Sequence, residues 1–180
     1  MQRGHSPRKG LAIFLTGFLG NVSGVFALDN SGSSQVIYPH GAQPTFVGPD
    51  EWFSGEVKVN ILFPSNHDAK YSGAKVVFAN GARTAWHQHP AGQHMIVTSG
   101  VAITATRDGQ VSLVNSGESL WCPANLEHWH GALPDSSMTH LVITGELGGK
   151  NVEWKEKVSD EQYSSAVSKA RALTRSRNSD

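Results

Sequence analysis

The chain of 180 residues has few cysteines, no excess of basic residues and no long hydrophobic runs, which several protein classes require. A single cysteine excludes an intramolecular disulfide framework and any zinc finger built on cysteine pairs. Lys and Arg number 15, as do Asp and Glu, so there is no cationic excess to displace counterions from nucleic acid. Long apolar helical patterns are few, while 19 Gly and 8 Pro indicate many turns. We therefore expect no nucleic-acid partner and a fold rich in turns.

Long hydrophobic runs are also missing. The apolar segment at residues 11–19 (LAIFLTGFL) is shorter than the roughly 20 residues that span a bilayer. Basic residues precede it, and Val25-Phe26-Ala27 supplies small residues at a possible cleavage point. This pattern is typical of a secretory signal peptide, which we predict at residues 1–27. The mature protein would be periplasmic or secreted, without stable membrane association. An uncleaved anchor and a plain extension of a cytoplasmic protein are the alternatives.

Cleavage would change the charge balance. The segment before the cleavage point holds Arg3, Arg8 and Lys9 and no acid. Their removal from the 15 cations leaves 12 against 15 acids, a net charge of −3 with His neutral. The mature chain would be mildly acidic, which makes nucleic acid a still poorer partner.

The rest of the chain reads as short strands separated by turns. Residues 28–50 are rich in Ser, Gly, Pro and Asn and form a predicted lead-in segment, with one short strand expected at 36–38. From residue 57, apolar side chains recur at every second position, the period of a half-buried strand. Similar runs follow at residues 74–79, 84–89, 93–98, 101–106, 110–114, 119–122, 128–131 and 138–144. The pattern predicts an all-β sandwich or barrel over residues 51–158.

One helix is predicted near the C-terminus. Ser159 can cap it, and Gln162 three residues later can complete a capping box. A weak apolar stripe continues through Tyr163 and Val167 to Ala170 or Leu173. Residues 159–180 are therefore predicted to be a helix followed by a polar tail.

The chain contains nine histidines, and six of them lie between positions 87 and 140. His87 and His89 are two residues apart on a predicted strand, so both side chains point to the same face. The turn at residues 90–92 reverses the chain, and Gln93 can return its side-chain oxygen to the same point. His128 and His130 repeat the spacing of two, and a further histidine lies on the strand at 138–144. A surface or packed role would be the simpler interpretation for any one of them.

Nitrogen and oxygen ligands without a thiolate suit a divalent first-row metal, and Mn, Fe, Co, Ni and Zn all fit this description. Three or four protein ligands leave positions open for water or substrate, as in catalytic metal sites. The histidine pattern therefore predicts a metal centre with catalytic capacity.

The spacings around these histidines resemble the two motifs of the cupin family. Gly81 is followed by five residues, His87, one residue, His89, three residues, Gln93, six residues and a glycine. Gly117 is followed by five residues, a proline, one residue, Asn125, two residues and His128. The sequence departs from the family at three positions, with Gln93 for the usual Glu, Asn125 for Gly and Ala132 for Asn. The resemblance implies a cupin jelly-roll β-barrel of six to eight strands with a short C-terminal helix. It also implies a metal held by His87, His89, Gln93 and His128.

Longer strings are similar to the small bacterial cupins that act as manganese-dependent hydroxynitrile lyases, the (R)-mandelonitrile lyase group. They are residues 81–93 (GARTAWHQHPAGQ), 127–134 (EHWHGALP), 138–147 (MTHLVITGEL) and 151–163 (NVEWKEKVSDEQY). In that group Gln is typical at the position of Gln93. The resemblance implies cleavage or formation of a cyanohydrin, a small-molecule substrate, and a homo-oligomer, either dimer or tetramer. It implies Mn(II) as the cofactor, with Fe(II), Zn(II), Co(II) and Ni(II) as alternatives.

Neutral Gln leaves a bound cation less neutralised than Glu would, which strengthens it as a Lewis acid toward a substrate hydroxyl. We expect His140 to be the general base, because strand parity directs it inward and an imidazole ordinarily titrates near neutrality. His130 could be a base, a cyanide-holding donor, a spare ligand or a packed residue. Ala74, Val76 and Thr144 are expected to contact the substrate, with plain barrel core as the alternative.

Other functions remain open on the same barrel. An iron-dependent oxygenase is one, since open metal positions also accept dioxygen. An isomerase or cyclase and a non-catalytic small-molecule or metal-binding cupin are others. Side-chain parity places Trp86, Trp121 and Trp129 opposite the metal face, so we expect them to pack rather than to contact substrate.

Overall fold

The computed structural model describes residues 34–177. The predicted signal peptide and the last three residues of the tail lie outside this range. Within it the chain forms thirteen strands and one helix. The strands are β1 (Thr45–Val47), β2 (Phe53–Ser54), β3 (Val57–Phe63), β4 (Tyr71–Phe78), β5 (Arg83–Thr84), β6 (His87–Gln88), β7 (Gln93–Ser99), β8 (Val101–Thr106), β9 (Val111–Asn115), β10 (Ser119–Cys122), β11 (His128–Ala132), β12 (Met138–Gly145) and β13 (Glu153–Trp154). The helix is α1 (Asp160–Arg177).

Two antiparallel sheets form a jelly-roll, which confirms the predicted fold. The first sheet has six strands in the order β1-β3-β4-β12-β7-β10. The second has seven, with the path β13-β6-β11-β5-β2, and in it β8 also pairs with β11 and β9 pairs with β8. Most paired strands are distant in sequence. Strand β6, from the first histidine motif, pairs with β11, from the second, in the second sheet.

Side chains of the first sheet alternate between solvent and the space between the two sheets, and the inward ones fill that space. Strands β3, β4, β7 and β12 bury every second side chain over most of their length, as a sheet with one solvent face should. At one end of the interior, Val57, Phe78 and Met138 are fully buried in register with each other. Burying an apolar side chain of this size stabilises the fold by about 1.5–3 kcal/mol. This end of the barrel is therefore a closed apolar core.

A second apolar cluster lies on the outer face of the second sheet. Trp86 and Trp129 pack there with Tyr163, Val167 and other residues of α1. Because α1 covers this face, every residue of β11 is buried, on both sides of the strand. The packing role predicted for Trp86 and Trp129 is confirmed. Trp121 also points away from the barrel interior, but it is 49% exposed and lies beside His94.

The helix begins where the sequence predicts. Ser159 Oγ accepts the backbone N–H of Gln162, and Gln162 Oε1 accepts the backbone N–H of Ser159, which completes the capping box. The guanidinium of Arg83 lies over the Tyr163 ring and pairs with Asp160 at 2.5 Å, so the first turn is tied to the sheet. No helix within residues 34–177 is long and apolar enough to cross a bilayer.

The apolar stripe of the helix follows one of the two predicted paths. Ala166 joins Tyr163, Val167 and Ala170 as a buried residue, whereas Leu173 is largely exposed. The stripe therefore ends at Ala170 against the sheet.

Two strand predictions are wrong. No strand forms at residues 36–38, which precede a turn closed by the Ala42 N–H and the Pro39 carbonyl; the lead-in segment pairs instead through β1. The predicted strand at 84–89 is broken between β5 and β6. There the Ala85 N–H bonds to the Trp52 carbonyl, so the chain changes partners at this corner. Such local pairing leaves no periodic signal in the sequence.

Candidate metal centre

Three imidazoles converge on the inner face of the second sheet. His87 on β6 lies opposite His128 on β11, with ring centroids 4.3 Å apart. The ring of His89, just beyond β6, lies 5.0 Å from that of His87 and 5.5 Å from that of His128. All three side chains are buried. The spacing of two in each motif thus brings the predicted histidine ligands together.

One ring nitrogen of each histidine in this group is held by the backbone. Nδ1 lies within hydrogen-bond distance of a carbonyl oxygen, which can only accept, so Nδ1 carries the proton. This arrangement leaves the lone pair on Nε2, and Nε2 of His89 and of His128 is buried with no hydrogen-bond partner in the described chain. The acceptors for His87, His89 and His128 are the carbonyls of Ala85, Asn151 and Leu126, at 3.0, 2.7 and 3.0 Å.

Gln93 is oriented in the same way by a side chain. It opens β7 directly opposite Thr144 of β12, and its Nε2 donates to Thr144 Oγ1 at 2.9 Å. The amide oxygen is thereby turned away from the threonine, and Oε1 is buried without a partner in residues 34–177. Thr144, expected to contact the substrate, thus also fixes the predicted oxygen ligand. His94, the next residue, points outward.

The donor set fits a divalent cation. Burial is the largest cause that lowers the pKa of each imidazole in the group, to about 4 for His89 and well below the ordinary value for His87. For both residues, repulsion from neighbouring imidazoles lowers it further. The rings are therefore neutral at physiological pH, as metal binding requires. Buried lone pairs without partners are costly unless something satisfies them, and a cation would.

A fourth histidine approaches the same point. His87, His128 and His130 each place a ring nitrogen within 4.8 Å of the others. His130 shares the inward face of β11 with His128, as strand parity predicts. It is available either as an additional ligand or as a group beside the metal.

His130 and His140 form a deeper pair. Their ring centroids lie 5.1 Å apart, and the Phe78 ring contacts both. His140 is 1% exposed, and neither of its ring nitrogens has a partner within the described residues. Burial lowers the pKa of His140 to about 3, and burial with imidazole repulsion lowers that of His130 well below its usual range. The expected near-neutral pKa is therefore wrong for His140, because the barrel removes it from water.

The site opens into a cavity of about 230 Å³ between the sheets. Ala74, Val76 and Thr144 line it, together with Gln93 and four histidines, His87, His89, His130 and His140. All three residues predicted to contact the substrate therefore lie on the cavity wall.

Sequence reasoning missed an aromatic wall of this cavity. Trp52 and Trp154 stack with ring centroids 5.4 Å apart and an interplanar angle of 4°, and Phe53 meets Trp154 edge-on. Trp154 lies 4.9 Å from the His87 ring. These residues sit in a turn and in two-residue strands, where no periodicity indicates which way a side chain points. The sequence offered only one hint of this wall, namely that Trp52, Phe53 and Trp154 lie near the two ends of the predicted barrel segment.

Comparison with known proteins agrees with this geometry. The cupin domain family matches residues 74–144. A protein of Granulicella tundricola named (R)-mandelonitrile lyase is 46% identical over 123 residues, which are 68% of this chain and 94% of that protein. A cupin-like protein of Thermotoga maritima has 33% identity and a TM-score of 0.63, covering 73% of this chain and 97% of that one.

More distant structures share the fold alone. A polyketide cyclase of Streptomyces resistomycificus superposes with a TM-score of 0.56 at 15% identity, covering 72% of this chain and 91% of that one. The relative from Granulicella tundricola indicates the family, and the buried histidine group is consistent with a metal-binding member of it. The chain belongs to the cupin family, is a homologue of an (R)-mandelonitrile lyase, and carries a buried histidine cluster suited to a divalent metal.

Proposed function

We propose that this protein is a metal-dependent carbon–carbon lyase that cleaves a cyanohydrin to an aldehyde and cyanide, or forms it in reverse. The observation that carries the proposal is the 46% identity spanning 94% of a protein named (R)-mandelonitrile lyase. The cavity supports it, since a small apolar chamber with a polar metal-binding side suits a small hydroxylated substrate.

We propose Mn(II) as the resident metal, held by His87, His89, Gln93 and His128. Three imidazole nitrogens and an amide oxygen form a set without thiolate, which suits manganese as well as iron, cobalt, nickel or zinc. A divalent cation bound there would act as a Lewis acid toward the substrate hydroxyl. Gln93 adds no negative charge, so it does not weaken that effect.

We assign the proton transfer to His140, which burial keeps neutral at physiological pH by lowering its pKa to about 3, so that a ring nitrogen is free to accept a proton. The proton of the cyanohydrin hydroxyl passes to a ring nitrogen of His140. The bond between the carbinol carbon and the nitrile carbon then breaks, and its electron pair leaves with cyanide. The imidazolium returns the proton to cyanide, so the products are an aldehyde and hydrogen cyanide. His130, whose ring centroid is 5.1 Å from that of His140, would hold the leaving nitrile.

The test combines metal analysis with an assay of cyanide release. Protein purified without oxygen is analysed for bound metal and incubated with mandelonitrile. We expect cyanide release that depends on manganese and consumes no oxygen, and that is lost in His87→Ala. Release no faster than in His87→Ala would overturn the lyase proposal. A requirement for Fe(II) with oxygen consumption would favour the oxygenase alternative.

We also propose that the protein is a homo-oligomer. Strand β1 is an edge of the first sheet, and its Val47 is 68% exposed. An exposed apolar edge strand is a surface that another chain can cover. Light scattering after size exclusion would show a dimer or tetramer, whereas a monomeric mass would refute this.

We further propose export of the mature chain after cleavage at Ala27. The proposal rests on the basic, apolar and small-residue pattern of residues 1–27. Mass spectrometry of the protein from the periplasmic or culture fraction should find an N-terminus at Leu28. Recovery of the full-length chain from the cytoplasm alone would contradict the proposal.

A further inference from the structure

Apart from His140, the polar side chains on the inner face of the first sheet lie in one cross-strand row. Gln93 of β7 lies opposite Thr144 of β12, and Thr144 lies opposite Ser72 of β4. The next row inward, two residues along each strand, is apolar, with Val142 opposite Ala74. A single polar row therefore runs from the oxygen ligand Gln93 across the sheet to Ser72.

The hydroxyl groups in this row have unused hydrogen-bonding capacity. Thr144 Oγ1 accepts from Gln93 Nε2, and Ser72 Oγ accepts from Asn151 Nδ2 at 3.4 Å. A hydroxyl is also a donor, yet neither hydroxyl hydrogen has an acceptor among residues 34–177. The Asn151 side-chain oxygen likewise has no donor there. Thr144, Ser72 and Asn151 all line the cavity, so these groups face the space where a ligand would lie.

Most of the other wall residues are apolar or aromatic. Phe46 and Ile61 line the cavity beyond the polar row, and Trp52 and Trp154 supply the stacked wall. Four of the five clustered histidines (all but His128), Gln93 and Thr84 are the remaining polar contributors to the lining. A ligand whose only polar group was bound at the metal would leave the hydroxyls of Ser72 and Thr144 facing an apolar body. Desolvating such groups without a partner is unfavourable.

We propose that the substrate carries a second hydroxyl, or an equivalent group that both donates and accepts, bound by Ser72, Thr144 and Asn151. This inference rests on the proposed lyase function. Two hydroxyl donors and one amide acceptor complement a hydroxyl, which offers one hydrogen and two lone pairs. The substrate class would be hydroxylated cyanohydrins whose apolar body fills the aromatic part of the cavity.

The test measures ligand binding, so that it does not depend on turnover. Calorimetry on the metal-loaded protein compares benzaldehyde with its 2-, 3- and 4-hydroxy derivatives. We expect at least one hydroxylated isomer to bind about five- to tenfold more tightly, the effect of one good hydrogen bond. Ser72→Ala should abolish that preference, whereas Ser119→Ala, an exposed serine on β10, should retain it.

Variants at Thr144 provide a second measurement if Ser72→Ala does not fold. Thr144→Ser keeps the hydroxyl and should keep the preference, while Thr144→Val should lose it. The inference is overturned if no hydroxylated isomer binds more tightly than benzaldehyde. It is also overturned if the preference survives both Ser72→Ala and Thr144→Val.

Cyanide release from mandelonitrile, measured on the same samples, separates the two proposals. A binding preference without cyanide release would support the hydroxyl subsite and refute the lyase activity. Cyanide release without a binding preference would refute the subsite and leave the lyase activity in place. Absence of both would refute both.

Discussion

The barrel interior holds two groups of imidazoles that differ in what their second nitrogen contacts. In the group on the second sheet, each Nδ1–H donates a hydrogen bond to a backbone carbonyl; the group consists of His87, His89 and His128. In the deeper pair, His140 has no hydrogen-bond partner for either nitrogen, and His130 has none for Nδ1, within the described residues. An anchored ring presents one lone pair in one direction, as a metal ligand must. A ring with no anchor can accept and return a proton.

Residue type alone does not assign the role of a histidine in this barrel. Both groups are buried, and both have lowered pKa values. Only the hydrogen bonds of the backbone separate them. Four substitutions test the two groups and their surroundings.

The largest effect is expected for an anchored ring. His128→Ala removes a lone pair directed at the metal and should lower metal content and cyanide release by more than about 100-fold, beyond the loss typical of residues outside the ligand shell. Elemental analysis and the cyanide assay measure both. His94→Ala, an outward histidine on β7, is the matched control and should behave like the parent. Full metal content in His128→Ala would contradict the assignment of this ring as a ligand.

Substitution in the deeper pair should separate turnover from metal binding. His140→Asn is expected to lower cyanide release about 10²- to 10⁴-fold, the usual contribution of a general base, with metal content unchanged. A parallel loss of metal would place His140 among the ligands and abolish the distinction between the two groups.

A smaller effect is expected where a side chain, rather than the backbone, orients a ligand. Thr144→Val removes the acceptor for Gln93 Nε2 and frees the amide to turn. Metal affinity should fall about tenfold, and Thr144→Ser should restore it. Titration with Mn(II) followed by electron paramagnetic resonance gives the affinity. Equal affinities in Thr144→Val and the parent would show that Gln93 needs no orienting group.

The smallest effect on the site should come from the helix cap. Ser159→Ala breaks the capping box and should cost about 1 kcal/mol of stability. Thermal unfolding should shift downward by about 2–4 °C. Metal content and cyanide release should not change, because α1 packs on the opposite face of β11 from the histidines. A loss of metal would show that the outer helix also positions the site.

Strand parity predicted much of this site. It placed His87 and His89 on one face, placed His128 and His130 on one face, and directed His140 inward. It could not find the anchors, because the acceptor for His89 is a carbonyl 62 residues away. Nor could it predict the pKa of His140, which depends on how completely the barrel excludes water. The two-residue strands that carry Phe53 and Trp154 contain too few positions for any period.

The doubly buried strand β11 has a consequence for protein engineering. Its inner residues His128 and His130 belong to the histidine cluster and its outer residue Trp129 packs against the helix, so exchange at these positions should disturb either the site or the helix packing. Within residues 34–177 no helix packs on the outer face of the first sheet, and β4 presents Ser72, Ala74 and Val76 to the cavity without carrying a histidine. The neighbouring strands β7 and β12 carry Gln93 and His140 and should be kept fixed, as β11 should. Libraries aimed at new substrates belong on β4.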